Sequence, residues 1–146
     1  MVPGGSTTPP PTSPPPAAGP TGPVHSGYAG KCVDVAAAST ANGTAVQLYD
    51  CNGTTAQNWT VEPDGSLQAL GKCMDVTAAG TANGSTVQLY DCNGTGSQKW
   101  QQSGSTLVNP QSGKCLDATG PSSANGTRLQ IWTCAGAANQ QWTLPA

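Results

Sequence analysis

Short segments in which apolar and polar residues alternate recur along this chain. In residues 46–49, Val46 and Leu48 lie on one face of an extended segment, and Gln47 and Tyr49 lie on the other. Equivalent segments occur twice more, and no segment shows a helical period of any length. The pattern therefore predicts an all-β protein built from short strands.

Turn sequences separate these segments. Asn-Gly steps occur at residues 42, 52, 83, 93 and 125, and Pro63-Asp64-Gly65 forms a further turn sequence. Asn and Gly both tolerate positive φ, so we expect type I′ turns at the Asn-Gly steps. The Asn-Gly steps also create sequons, but the turn requirement is enough to explain them.

One unit of sequence occurs three times, with periods of 41 and 42 residues. Each copy contains Lys-Cys-x-Asp, an Asn-Gly step, a Gln-x-aromatic strand and a closing Gln-x-Trp. A repeat of this length also suits a propeller blade, but three blades are too few to close a ring. We place the copies at about residues 26–64, 65–106 and 107–146.

The six cysteines fall into three pairs, one pair in each copy, with the two partners 19 positions apart. Six cysteines allow 15 connectivities in principle, and the repeated spacing favours a local disulfide in each copy. A zinc site is the alternative, but the sequence has neither a Cys-x-x-Cys step nor a histidine within the copies. Disulfides indicate a secreted, extracellular protein. The expected pairs are Cys32–Cys51, Cys73–Cys92 and Cys115–Cys134.

Residues 1–25 have a different composition from the rest of the chain. Residues 3–23 hold nine of the 13 prolines, with Ser, Thr, Gly and Ala between them. Such a segment cannot bury a core and favours extended polyproline II geometry. We expect a linker that tethers a folded domain at residues 26–146 to another domain of a longer chain, rather than a tail without a role.

Composition and charge exclude several functions. Only 8% of residues are charged and the net charge is −2, so we expect no nucleic-acid partner and no attraction to an anionic membrane. The single histidine, His25, lies in the expected linker, so we expect no metal and no cofactor. Glu62 is the only glutamate, and no pair of carboxylates is placed for glycoside hydrolysis, so we expect no catalysis. Asp50 and Asp91 are expected only to solvate the surface.

The Cys-x-Asp opening, the Gln-x-Tyr or Gln-x-Trp strand and the closing Gln-x-Trp, present three times, resemble the ricin-B-type lectin domain. The resemblance covers residues 26–146 and is strongest to carbohydrate-binding modules of actinobacterial secreted glycoside hydrolases. It implies a β-trefoil, in which three four-stranded lobes surround a pseudo-threefold axis. Trp59, Trp100 and Trp142 would pack its centre.

The resemblance also implies a sugar site in each lobe. An Asp beside a half-cystine would accept hydrogen bonds from sugar hydroxyls, and an exposed aromatic ring would stack on a pyranose. The alternatives are an Asp that caps its own turn and an aromatic that only covers its lobe. The candidate residues are Asp34, Gln47, Tyr49 and Gln57 in lobe 1, Asp75, Gln88, Tyr90 and Gln98 in lobe 2, and Asp117, Gln130, Trp132, Asn139 and Gln140 in lobe 3.

The lobes differ at the position before the closing Gln, where the family has an Asn. Lobe 3 has Asn139, lobe 2 has Ser97 and lobe 1 has Ala56. We therefore rank lobe 3 as the best site and lobe 1 as the weakest, with each lost hydrogen bond costing about 1 kcal/mol.

These features together predict a non-catalytic, monomeric carbohydrate-binding module. The expected ligand is a galactose- or xylose-containing polysaccharide, and the expected covalent partner is a catalytic domain in the parent chain. Several weak sites on one frame would bind a polymer with increased avidity. The alternative is a trefoil that acts as a protein-binding or inhibitor module, with recognition concentrated on one asymmetric loop.

Overall fold

A computed structural model describes residues 19–146, and most of the expected linker lies outside these residues. The described chain forms thirteen short strands and five single-turn 3-10 helices. No helix among the described residues has the length and apolar character needed to cross a membrane. The strands are β1 (Thr21–Gly22), β2 (His25–Ser26), β3 (Lys31–Val35), β4 (Thr44–Asp50), β5 (Trp59–Val61), β6 (Leu67–Ala69), β7 (Lys72–Val76), β8 (Val87–Tyr90), β9 (Gln101–Ser103), β10 (Thr106–Asn109), β11 (Lys114–Ala118), β12 (Thr127–Trp132) and β13 (Trp142–Thr143). The 3-10 helices are η1 (Ala36–Ala38), η2 (Thr55–Gln57), η3 (Thr77–Ala79), η4 (Gly96–Gln98) and η5 (Ala138–Gln140).

Antiparallel pairing repeats with threefold regularity. Each lobe contains a central strand pair, whose members we call its first and second strands: β3 pairs with β4, β7 with β8 and β11 with β12. Between lobes β4 pairs with both β8 and β12, and an isolated bridge joins Thr86 to Gln130. The second strands of the three lobes thus contact one another around a common axis. This arrangement confirms the predicted β-trefoil.

The closing tryptophans lie in one hydrophobic core, as predicted. Trp59, Trp100 and Trp142 are buried, and their indole nitrogens donate to the backbone carbonyls of the first strand of each lobe, at 2.9–3.1 Å. A buried indole N–H needs such an acceptor. The apolar residues that alternate with polar residues along the central strands are also fully buried. They are Val33, Val35, Val46, Leu48, Met74, Val76, Val87, Leu89, Leu116, Leu129 and Ile131.

The three predicted disulfides are present, one in each lobe. Each links the first strand to a cysteine one or two residues after the end of the second strand, across Cα–Cα distances of 5.0 Å. No free cysteine occurs between residues 19 and 146.

The folded unit begins before residue 26, which corrects the expected linker boundary. Thr21 and Gly22 pair with β5, and His25 lies in a strand that pairs with both β3 and β13. Val24 between them is fully buried. These residues gain strand pairing from distant parts of the chain, which local proline content does not indicate.

The Asn-Gly steps form turns, but the predicted type I′ geometry is wrong. Gly43, Gly84 and Gly126 have φ near +90°, whereas no asparagine between residues 19 and 146 has positive φ. A single left-handed residue at the third position fits a type II turn. These turns connect a loop to a strand instead of joining two paired strands, so the twist that favours type I′ in hairpins does not apply.

The asparagines that precede these three glycines, Asn42, Asn83 and Asn125, each form hydrogen bonds to a neighbouring lobe. Asn125 accepts hydrogen bonds from the Asp50 backbone N–H (2.9 Å) and the Lys31 ammonium (2.7 Å), and its amide donates to the Asp50 carboxylate (3.0 Å). Asn42 makes the same three bonds to Asp91 and Lys72. We call this arrangement an Asn clasp.

The third Asn clasp is neutral. Asn83 accepts from the Thr133 backbone N–H (2.7 Å) and donates to the Thr133 hydroxyl (3.1 Å). Lobe 1 therefore binds lobe 2, lobe 2 binds lobe 3, and lobe 3 binds lobe 1. Asp50 and Asp91 act as inter-lobe partners, which corrects the expectation that they only solvate the surface.

We predict that the charged and neutral clasps respond differently to pH. Hydrogen bonds from Asn125 and Lys31 lower the pKa of Asp50. A lowered pKa stabilises the fold above the unfolded value of about 3.9, and this stabilisation is lost as the pH falls through the folded value. The decrease in melting temperature caused by Asn125→Ala should therefore be smaller at acidic pH than at neutral pH.

Asn83→Ala is the matched control, because its partner Thr133 does not ionise. Its loss of melting temperature should be the same at both pH values. An Asn125→Ala penalty that also stays constant would contradict the proposed contribution of the Asp50 carboxylate. Thermal unfolding followed by circular dichroism measures both.

Candidate functional site

In each lobe the aspartate and the strand glutamine lie opposite each other on paired strands. Asp34 pairs with Gln47, Asp75 with Gln88, and Asp117 with Gln130. The apolar residues on either side of each Asp point into the core, so strand alternation directs the carboxylate to the other face. There a 3-10 helix covers it, which leaves only 4–5% of each Asp exposed.

The Asp117 carboxylate is held by three neutral amides. Gln130 donates to Oδ1 at 3.0 Å, while Gln140 and Asn139 donate to Oδ2 at 2.9 and 3.0 Å. A carboxylate has about four acceptor positions, so an unfilled position remains for a further donor. The arrangement fixes the direction of the carboxylate without a cation.

The closing glutamines are fully used inside the protein. The Gln140 amide donates to both Asp117 and the Thr133 carbonyl, and its oxygen accepts from the backbone N–H groups of Ala135 and Gly136. Gln57 and Gln98 make equivalent bonds, and all three side chains are at most 2% exposed. These bonds hold each closing glutamine beside its carboxylate and use its polar atoms inside the protein, while Gln140 also lines the lobe 3 cleft. Direct contact of these glutamines with a sugar stays a prediction.

The strand aromatics are exposed. Tyr49, Tyr90 and Trp132 have 39%, 38% and 44% of their surface accessible, on the strand face opposite the core. They are the large hydrophobic residues that remain exposed within residues 19–146. Each lies two residues after the glutamine that holds its lobe's carboxylate, so ring and carboxylate share one face of the sheet.

Clefts lie at these positions in two lobes. The cleft in lobe 3 has a volume of about 540 Å³ and is lined by Asp117, Gln130, Trp132 and Asn139. The lobe 2 cleft measures about 270 Å³ and contains Asp75 with the corresponding side chains. Lobe 3 thus offers about twice the space of lobe 2.

Sequence reasoning missed the walls of both clefts. In lobe 3 the wall is Thr119, Gly120 and Pro121, and in lobe 2 it includes Ala78 and Ala79. The two alanines have φ of 56° and 54°, in the left-handed region that L-residues avoid. The walls of the two clefts therefore differ. A comparison of the loops that follow the three aspartates would have indicated this, because only the loop of lobe 3 contains a proline.

The residue before the closing glutamine differs structurally among the lobes. Asn139 donates to the Asp117 carboxylate, whereas the Ser97 hydroxyl pairs with the Thr95 hydroxyl at 2.9 Å. Ala56 is buried and has no polar side-chain atom. Lobes 1 and 2 therefore hold their carboxylates with two amides instead of three.

Burial changes the acidity of the lobe 2 carboxylate. Removal from water raises the pKa of Asp75, and hydrogen bonds from Gln98 and Gln88 partly offset this increase. The Gln98 bond is 2.8 Å long and the Gln88 bond 3.3 Å.

The described residues bring together one group of three potential metal ligands, His25, Cys32 and Cys51. Both sulfurs belong to the same disulfide. Because metal binding requires thiolate, this group has the wrong chemistry for a metal site.

The family follows from comparison with known domains. The model for the ricin-type beta-trefoil lectin domain matches residues 20–142. The chain belongs to this family. The match begins at residue 20, beside β1, which agrees with the corrected start of the fold.

Several solved structures are similar to this ricin-type lectin chain. The designed threefold-symmetric protein ThreeFoil is 33% identical with a TM-score of 0.80, over 86% of this chain and 98% of its own. A non-toxic homologue of type II RIPs from Momordica charantia (bitter gourd), in complex with α-methyl-D-galactoside, is 34% identical with a TM-score of 0.75, over 86% of this chain and 47% of its own. The exo-β-1,3-galactanase 1,3Gal43A of Clostridium thermocellum is 26% identical with a TM-score of 0.78, over 86% of this chain and 30% of its own.

A curated relative is also an enzyme. Serine protease 1 of Rarobacter faecitabidus is 43% identical over 42 residues, which is 29% of this chain. The matched segment spans only 8% of that relative's length.

We predict that the closing glutamine controls the acidity of the carboxylate it holds. In Gln98→Ala, Asp75 loses a hydrogen bond that favours its charged form, so its pKa should rise further. Gln88→Ala is the matched control and should give a smaller increase, because its bond is longer. Titration of the carboxyl carbon by NMR measures both, and an unchanged pKa in Gln98→Ala would contradict the positioning role.

Proposed function

We propose that this chain is a non-catalytic carbohydrate-binding domain with its strongest site in lobe 3. The observation that carries the proposal is the Asp117 carboxylate, held by three amides in a cleft beside the exposed Trp132 ring. A rigid acceptor next to an aromatic surface suits a pyranose, which has hydroxyls on its edge and C–H groups on its faces.

The polar groups of lobe 3 favour a pair of adjacent sugar hydroxyls. Asp117 supplies the charged acceptor, and the Asn139 oxygen receives no hydrogen bond from any residue between 19 and 146. The protein's own amides already orient the carboxylate. Binding of a sugar therefore requires no further loss of side-chain entropy at Asp117. Trp132 then supplies the apolar contact.

Galactose-containing polysaccharide is the ligand class that we favour. A related domain at 34% identity is described in complex with α-methyl-D-galactoside, and another, at 26% identity, belongs to an exo-β-1,3-galactanase. Xylose-containing polymers are the competing ligand. The 4-hydroxyl is axial in galactose and equatorial in xylose, and a fixed carboxylate is able to select between these two positions.

Three lobes on one rigid frame suggest binding to a polymer. A shallow site that contacts one sugar binds weakly, with a dissociation constant commonly near millimolar. Simultaneous use of two or three sites raises the avidity well above that of one site. We further propose that the chain acts as a monomer outside the cell and targets a covalently linked catalytic domain to its substrate. The three disulfides and the enzymes that share this domain support this role.

A protein-binding or inhibitor module is less well supported. That function would concentrate recognition on one asymmetric loop. The loop after the site aspartate departs from the other two lobes at residues 119–121, and there it forms the wall of the lobe 3 cleft. Its asymmetry is explained by that site without a protein partner.

We predict that single substitutions of the aspartates rank the lobes. Asp117→Asn should weaken retention on galactan most, by about tenfold or more, because a hydrogen bond to a charged acceptor contributes about 1.5–3 kcal/mol. Asp75→Asn should weaken it less and Asp34→Asn least, since their lobes lack the third amide. Asp64→Asn, in the turn between β5 and β6, is the matched control.

Affinity electrophoresis in gels containing galactan, xylan or no polymer measures this ranking. Retardation of the native protein by galactan, relieved by free galactose, is the expected result. Retardation by xylan alone would show that the ligand contains xylose and not galactose. Unchanged retardation in the triple Asp→Asn variant would overturn the proposed sites.

A further inference from the structure

Five Asn-Gly steps in nearly identical sequence contexts fall into two structural classes. Four are Asn-Gly-Thr and one, at Asn83, is Asn-Gly-Ser. All five asparagines are exposed, so burial does not distinguish them. Hydrogen bonding does.

Three of the five steps are hydrogen-bonded to the neighbouring lobe. The backbone nitrogens of Gly43, Gly84 and Gly126 donate to carbonyls of the adjacent lobe at 2.8, 2.9 and 2.7 Å. The asparagines that precede these glycines form the Asn clasps, so their side-chain amides are held as well.

The other two steps, at Asn52 and Asn93, have a free glycine nitrogen. Gly53 and Gly94 donate no backbone hydrogen bond to any residue between 19 and 146. The oxygens of Asn52 and Asn93 accept bonds from Thr54 and Thr95 in a local turn. Their side-chain nitrogens have no acceptor within the same described residues.

We propose that Asn52 and Asn93 are sites of spontaneous deamidation and that the Asn clasps protect the other three. In this reaction the glycine nitrogen attacks the side-chain amide carbon, a new C–N bond forms, and ammonia leaves with the proton that the glycine nitrogen gives up. Water then opens the resulting succinimide at either carbonyl, which yields aspartate or isoaspartate. One water is consumed, one ammonia is released, and nothing is oxidised or reduced.

The reaction would affect the lobes unequally. The backbone N–H of Asn93 donates to the Gln98 oxygen at 2.9 Å, and Gln98 holds Asp75. Asn52 has the same relation to Gln57. Isoaspartate adds a carbon to the backbone at this point and would shift the group that positions the carboxylate. Lobe 3 has Ala135-Gly136 at the equivalent step and cannot undergo the change.

Peptide mapping by mass spectrometry after incubation of the intact, disulfide-bonded protein at mildly alkaline pH tests the proposal. Asn52 and Asn93 should convert at least about tenfold faster than Asn42, Asn83 and Asn125, a factor that one or two protecting hydrogen bonds can supply. The reduced and denatured protein is the matched control, in which all five steps should convert at similar rates.

Two results would overturn the proposal. One is equal conversion of the five asparagines in the folded protein. The other is a rate difference that persists after denaturation, since sequence would then be its cause. In the double variant Asn52→Ala/Asn93→Ala, which copies the Ala-Gly step of lobe 3, ammonia release from the folded protein should fall to that of the protected steps.

Discussion

A buried carboxylate without a cation is the constraint on which each lobe depends. Asp34, Asp75 and Asp117 are almost fully covered, and no lysine or arginine pairs with them among residues 19–146. Such a group is stable only if hydrogen bonds replace the water it has lost. The strand glutamine and the closing glutamine supply these bonds in every lobe.

The closing Gln-x-Trp links this requirement to the core. Its tryptophan anchors the segment in the centre through a hydrogen bond to the first strand, and its glutamine, two residues earlier, reaches the carboxylate on that strand. One short motif therefore fixes both the packing of a lobe and the direction of its acceptor. The Asn clasps then hold the three lobes together, so the three acceptors stay in fixed relation to one another.

Repetition made much of this structure predictable. Cysteine spacing, the Gln-x-Trp tryptophans and strand alternation are local patterns that occur three times, and the structure confirms each of them. What the sequence did not indicate depends on contacts between distant residues. The pairing of residues 21–26 with β5, β13 and β3, the clasp between Asn125 and Asp50, and the burial of Gln140 all require the folded lobes. The cleft wall at residues 119–121 arises where lobe 3 departs from the repeat.

The most direct test of the central claim is a titration of the isotope-labelled protein with galactose, followed by NMR of the side-chain N–H groups. The chain has four tryptophans, of which three donate to backbone carbonyls in the core and Trp132 alone is exposed. The account predicts that galactose shifts the indole signal of Trp132 and the amide signals of Gln130 and Asn139, and leaves the three core indoles unchanged. Shifts confined to other surfaces, or none with galactose or xylose at concentrations well above millimolar, would contradict it.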